Sequence, residues 1–201
     1  MILNNQRKQI SLLTLNIVVN ELPVSLKNNT IQLSHGVCPM RNYSALQGGK
    51  KDISNIVIFD IDEIVDGIYI GDYTVSLQKE KLKELGITHI LSLIEMEQLN
   101  DNFIRKIMPI TDTNEQDIKN IFNECIDFID SAINNKTKIL VHCYKGISRS
   151  AAIVCAYLIN KNKTTFNITI TQMQQRRPCI EPNLGFCIAL DDYYIEIIQK
   201  N

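Results

Sequence analysis

Apolar positions change rhythm several times along this chain, and the changes outline a fold. Glu63-Ile64-Val65 and Ile68-Tyr69-Ile70 flank Asp66-Gly67, a dipeptide suited to a tight turn, so the segment predicts a β-hairpin. Residues 77–85 read as a helix ended by Gly86, the residue that most easily adopts the left-handed closing conformation. A strand is expected over 88–93. Ile118, Ile121, Phe122, Cys125, Ile129, Ala132 and Ile133 then recur at helical spacing, in a long amphipathic stretch that Asp112-Thr113 introduces. Asn134-Asn135 stops it, and a short apolar run at 139–141 predicts a buried strand.

The next stretch, 150–159, is apolar on most sides and reads as a buried helix. Helices over about 165–176 and 184–198 close the chain, the first of them rich in β-branched residues that suit a helix less well. Strands alternating with helices predict an α/β domain with a mixed or parallel central sheet flanked by helices. Residues 1–54 differ from all this. They carry Asn28-Asn29, Gly48-Gly49 and Lys50-Lys51 and little sustained periodicity, the mark of an N-terminal extension and linker. The main folded domain is therefore expected at 55–201.

Composition narrows the function. A net charge of -1 with interspersed signs implies no general attraction to nucleic acid or to an anionic membrane surface. No run approaches the roughly 18 apolar residues that span a bilayer. The apolar stretch after Arg7-Lys8 is interrupted by Asn16, and Asn20-Glu21-Leu22-Pro23 makes a poor cleavage site for a signal peptide. Of the six cysteines, most sit inside apolar periodic stretches, where free Cys behaves as a small hydrophobe. With no C-x-x-C pair and no close His–Cys cluster, neither a zinc site nor another metal is expected. An intracellular location, cytoplasmic or nuclear, follows if a cysteine works as a thiolate.

One stretch carries chemistry: Val141-His142-Cys143-Tyr144-Lys145-Gly146-Ile147-Ser148-Arg149-Ser150. With six Cys and six Arg in 201 residues, the pattern with its His, Gly and Ser is expected by accident roughly 5 × 10⁻⁶ times. Read as a strand-to-helix loop, the backbone N–H groups of Tyr144, Lys145, Gly146, Ile147, Ser148 and Arg149 form a nest for an anion at a helix N-terminus. Gly146 relieves the backbone of a tight loop. Arg149 supplies a planar fork matching two phosphate oxygens. The same positive surroundings favour a thiolate at Cys143. His142 sits behind it and holds the loop by hydrogen bonds, and Ser150 is placed to donate its hydroxyl to the sulfur. Each residue has a plainer reading, Cys143 and His142 as ordinary core, but the joint pattern outweighs it.

The stretch resembles the H-C-x-x-G-x-x-R-S/T signature of cysteine-dependent protein phosphatases, and in its Ser148-Arg149-Ser150-Ala151 form it is similar to a small, atypical member of the dual-specificity branch. The resemblance covers about residues 63–194. It includes Asp66-Gly67-Ile68-Tyr69-Ile70-Gly71, Leu85-Gly86-Ile87-Thr88-His89-Ile90-Leu91, and Arg177-Pro178-Cys179-Ile180-Glu181-Pro182-Asn183-Leu184-Gly185-Phe186. Where the family often continues with x-x-Gln-Leu, this chain has Ala189-Leu190.

The resemblance implies the cysteine-phosphatase fold, hydrolysis through a phosphocysteine without cofactor or metal, and a general acid on a loop about thirty residues before the cysteine. Asp112 matches that position. Its plainer role is a helix N-cap with Glu115 three residues on. Glu115 and Asp117 compete for the acid role, and both are expected on the first turn of the following helix, as dipole partners. The short domain implies a shallow pocket that takes phosphotyrosine, phosphoserine and phosphothreonine in protein substrates. The alternatives with the same loop chemistry are an RNA 5′-triphosphatase, a phosphoinositide phosphatase, or an inactive phosphate-binding module. Arg176-Arg177 is a candidate for a second substrate phosphate, against a plain solvated helix end. Arg7-Lys8 before Leu13-Thr14-Leu15 resembles a docking sequence for a protein kinase. Cys155 is a candidate redox partner of Cys143, with core packing the competing role.

Overall fold

In the computed structural model, the structure describes residues 26–27, 30–32, 57–97 and 101–199. The kinase-docking resemblance at Arg7 to Leu15 and the apolar stretch after it lie outside the described residues. The chain divides into two units, Met1–Asp60 and Ile61–Asn201. In the first, strands β1 (Leu26–Lys27), β2 (Thr30–Gln32) and β3 (Val57–Phe59) form a small sheet, antiparallel between β1 and β2 and parallel between β2 and β3.

The second unit is built around a five-stranded mixed sheet. Its strands are β4 (Ile61–Val65), β5 (Ile68–Gly71), β6 (Ile87–Ser92), β7 (Ile104–Ile107) and β8 (Lys138–His142), in the spatial order β4-β5-β8-β6-β7. Only the β4–β5 hairpin, turning at Asp66-Gly67, is antiparallel. The mixed α/β architecture expected from the alternating pattern is therefore present. β8 lies in the middle, paired on both sides, which is why Ile139, Leu140 and Val141 form an unbroken apolar run. Its last residue, His142, pairs with Gly71 on one side and Ser92 on the other. Cys143 thus leaves the sheet at the C-terminal edge of the parallel strands, where open α/β sheets place their sites.

Among the described residues, six helices accompany the sheet: α1 (Tyr73–Ser76), α2 (Lys79–Glu84), α3 (Phe122–Asn134), α4 (Arg149–Asn162), α5 (Phe166–Arg176) and α6 (Leu184–Gln199). Every residue from Ser150 to Ile159 of α4 is buried, because α3, α5, α6 and β8 all pack against it. Burying an aliphatic side chain of this kind stabilises by about 1.5–3 kcal/mol, so α4 anchors the far end of the loop as firmly as β8 anchors its start. Thr165 caps α5, accepting from Ile168 N, and this offsets the weak intrinsic preference of its β-branched residues.

Three local expectations change. The helix expected over 77–85 is shorter, α2 at Lys79–Glu84, and a separate short helix precedes it, α1, opened by Asp72, whose Oδ1 accepts from Val75 N at 2.9 Å. β7 escaped detection because this edge strand reads Ile-Arg-Lys-Ile, with two adjacent cations at its centre and no sustained apolar run; Asp101 holds it through Arg105 at 2.6 Å. The amphipathic helix begins only at Phe122, after a single tight turn at Lys119–Ile121. Residues before it are committed to a loop: the side-chain Oε1 of Gln116 accepts from Thr111 N at 3.1 Å and from Thr111 Oγ1 at 3.0 Å.

Candidate active site

The loop between β8 and α4 is held by its carbonyls. Tyr73 N donates to Tyr144 O at 3.2 Å, Glu181 N to Ile147 O at 3.0 Å, and Ala152 N to Ser148 O at 2.8 Å. Arg177 Nε donates to Gly146 O at 3.0 Å. In a planar trans peptide the C=O and the following N–H point opposite ways. Tying these carbonyls outward therefore turns the N–H groups of Lys145, Ile147, Ser148 and Arg149 to the other side, as an anion nest requires. Gly146 sits at φ +66°, and a Cβ there would meet Gly71 O at 2.7 Å.

Cys143 is 1% exposed. Its Sγ accepts from Gly146 N at 3.3 Å and lies 3.3 Å from the hydroxyl of the fully buried Ser150. His142 is also fully buried; desolvation draws its pKa down to about 4. The neutral ring donates from Nδ1 to Cys143 O at 3.3 Å, and among the described residues its Nε2 has no hydrogen-bond partner. Tyr144 and Lys145 are exposed on the loop's outer side, Ile147 is half-buried, and Ser148 is buried.

Arg149 donates from Nη1 to Ile110 O at 3.2 Å. Its Nε stands 3.5 Å from Asp112 Oδ2, close enough for charge attraction, yet makes no hydrogen bond among the described residues. Asp112 reaches the site from the loop before α3. Its Oδ1 accepts from Ser148 Oγ at 2.6 Å and from Asn183 Nδ2 at 3.0 Å. It is therefore not an N-cap, since α3 starts ten positions later at Phe122. Glu115 and Asp117 are exposed and precede the helix instead of lying on its first turn; Asp117 accepts from Lys119 N at 3.1 Å. Of the three acids, Asp112 is the one brought to Arg149.

Sequence reasoning placed Arg177 at the surface, and here the structure corrects it. Arg177 is 1% exposed and donates from Nη1 to Asp62 Oδ2 at 2.7 Å, leaving Arg176 as the exposed cation at the end of α5. Asn183 was missed as well, although it stands in the stretch quoted for the resemblance. Cys155 is fully buried on α4, and burial raises its thiol pKa.

The catalytic-domain model of dual specificity phosphatases matches residues 68–196. The chain belongs to the dual specificity phosphatase family. It is a cysteine-dependent protein phosphatase with that family's α/β fold. Among relatives, Dual specificity protein phosphatase 1B of Arabidopsis thaliana is 34% identical over 160 residues, covering 79% of this chain and 90% of the relative. Dual specificity protein phosphatase 1 of Homo sapiens is 36% identical over 141 residues, which is 69% of this chain but 38% of the relative. The crystal structure of human tyrosine phosphatase-like serine/threonine/tyrosine-interacting protein superposes with a TM-score of 0.65 at 30% identity, over 71% of this chain and 99% of the other. No helix among the described residues of this phosphatase is long and apolar enough to cross a membrane.

Proposed function

We propose that the protein hydrolyses phosphotyrosine, phosphoserine and phosphothreonine in protein substrates through a phosphocysteine at Cys143. The observation that carries this is the convergence of Gly146 N–H and the Ser150 hydroxyl on a sulfur at the centre of a loop whose carbonyls are tied outward. The phosphate dianion lies over Sγ, its oxygens held by the loop N–H groups from Tyr144 to Arg149 and by the Arg149 guanidinium. Sγ forms the S–P bond as the P–O bond to the substrate breaks, and Asp112 gives its proton to the leaving oxygen. Asp112, now a carboxylate, then takes a proton from the water that attacks phosphorus. Inorganic phosphate leaves, and Ser150 donates to the departing thiolate. His142 supports the loop through Cys143 O and touches no reacting atom.

The scheme calls for no metal or cofactor. It needs a reduced Cys143, which suits an intracellular, cytoplasmic or nuclear, location. A phosphoprotein is the substrate partner, and the Arg7-Lys8 segment suggests a protein kinase as a further one. Residues 1–54 serve as an extension to the catalytic domain at 55–201. The test is phosphate release from a panel of phosphotyrosine, phosphoserine and phosphothreonine peptides, an RNA 5′-triphosphate and a phosphoinositide, with Cys143→Ser as control. Release from the peptides, abolished by Cys143→Ser, is expected. Turnover retained by Cys143→Ser, or confined to RNA or lipid, contradicts it.

A further inference from the structure

Asp112 presents two oxygens in different surroundings. Oδ1 accepts two hydrogen bonds, from Ser148 Oγ and Asn183 Nδ2, and a carboxylate oxygen has two in-plane lone pairs. Oδ2 faces Arg149 Nε at 3.5 Å. The Ser148 hydroxyl is itself oriented, because it accepts from Asn183 N at 3.2 Å and so has its proton free for Asp112. Asn183 therefore acts on Oδ1 directly and through Ser148.

The start of α6 also grips the backbone of the same loop. Asn183 Nδ2 lies 3.4 Å from Thr113 O, and Gly185 N donates to Asn114 Oδ1 at 3.2 Å. A Cβ at Gly185 would stand 2.2 Å from Asn114 O and 2.7 Å from its carbonyl carbon, so only glycine lets the loop lie this close. Meanwhile Asn183 Oδ1 caps α6 by accepting from Phe186 N at 3.0 Å. One amide thus fastens the acid loop to the start of α6, where Phe186 is fully buried.

We propose that Asn183 is a positioning residue that, with Gly185 admitting the loop, determines which oxygen of Asp112 works: Oδ1 is occupied, and the catalytic proton travels on Oδ2, beside Arg149 and the phosphate. This rests on the reading of Asp112 as the acid. The test is kcat for aryl phosphates of graded leaving-group pKa, in the full chain, with melting temperature measured on each variant. Asn183→Ser keeps an oxygen for the cap, where Ser serves as well as Asn, but removes the Nδ2 donor. Gly185→Ala keeps Asn183 and displaces the loop.

Both are expected to lose about tenfold on phenyl phosphate and under about twofold on the best leaving group, a part of the roughly 10²–10⁴-fold that general acid catalysis contributes in full. Neither adds a loss on an Asp112→Ala background. Asn183→Asp sets an acceptor against Oδ1, a clash that a proton on Oδ1 relieves; a further loss of about tenfold on poor leaving groups is expected as the proton shifts to the wrong oxygen. Equal losses for Asn183→Asp and Asn183→Ser overturn the oxygen assignment. Losses uniform across the series, or persisting on Asp112→Ala, overturn the positioning role. If Asn183→Ser does not fold, Gly185→Ala decides that role by the same readout. Should Asp112→Ala itself leave the series flat, the acid reading fails, and that outcome is distinct from the others.

Discussion

Arg177→Met tests the reasoning about the loop most directly. Its guanidinium is 1% exposed and joins Gly146 O, on the loop, to Asp62, on β4. Methionine keeps much of the volume and removes the charge. The Asp62 carboxylate, 8% exposed as a side chain, then stays buried without the guanidinium, which costs about 3–5 kcal/mol. Gly146 O loses a donor, and a buried unsatisfied carbonyl costs about 1–3 kcal/mol more. These are not additive, because the site relaxes, so the expected loss is about 3–5 kcal/mol out of a total of about 5–15 kcal/mol.

The chain has no Trp, so urea unfolding is followed by far-ultraviolet circular dichroism. With a slope of about 1–3 kcal/mol/M, the midpoint is expected to fall by about 1 M or more. Activity separates the two bonds. Asp62→Asn breaks the ion pair but leaves the tether to Gly146, so it is expected to retain more kcat/KM than Arg177→Met at similar stability. The Asp62→Leu, Arg177→Met double variant is expected to be more stable than Arg177→Met alone, since no buried charge is left unpaired. A loss below about 1 kcal/mol for Arg177→Met, with kcat/KM unchanged, refutes the buttress.

Gly146→Ala is expected to cost more than about 2 kcal/mol, because αL strain for a non-glycine residue is compounded by a backbone clash that cannot yield; retained stability and activity contradict this. Ser150→Ala is expected to slow breakdown of the phosphocysteine more than its formation, seen as a pre-steady-state burst of the aryl leaving group that the parent lacks; no burst argues against the thiolate-stabilising role. His142 gives a pH effect. Burial disfavours its imidazolium, so the folded pKa of about 4 lies below the ordinary 6.5. The unfolded chain takes up that proton first, and stability present above pH 6.5 is lost as pH falls towards 4, by about 3 kcal/mol at most. His142→Gln is expected to flatten that part of the stability–pH curve; an unchanged curve contradicts it.

How much was legible in the sequence varied with the range of the interaction. Local patterns identified the hairpin, β8 and α4, because a buried central strand and a buried helix leave continuous apolar runs. The loop from His142 to Ser150 was legible for a related reason: its chemistry is packed into consecutive residues, although Tyr73, Arg177 and Glu181 hold its shape from elsewhere. β7 was not, since a four-residue edge strand with two adjacent cations at its centre has no apolar run to announce it. The late start of α3 was hidden too, because the helical spacing of Ile118 and Ile121 continues through a loop that Gln116 and Thr111 hold open.

The sequence by itself determined the reactive loop, its flanking elements and the family. Tertiary structure alone decided what surrounds them. The family resemblance favoured Asp112 over Glu115 and Asp117, but only folding carries it to Ser148 and Arg149. Arg177 reads as a surface cation beside Arg176 until the sheet and loop close over it. Asn183 and Gly185 become partners of Asp112 and Asn114 across seventy-one positions of sequence. The physical reason is common to all three: a hydrogen bond or ion pair between distant segments leaves no periodicity in either, and its partner is chosen by packing.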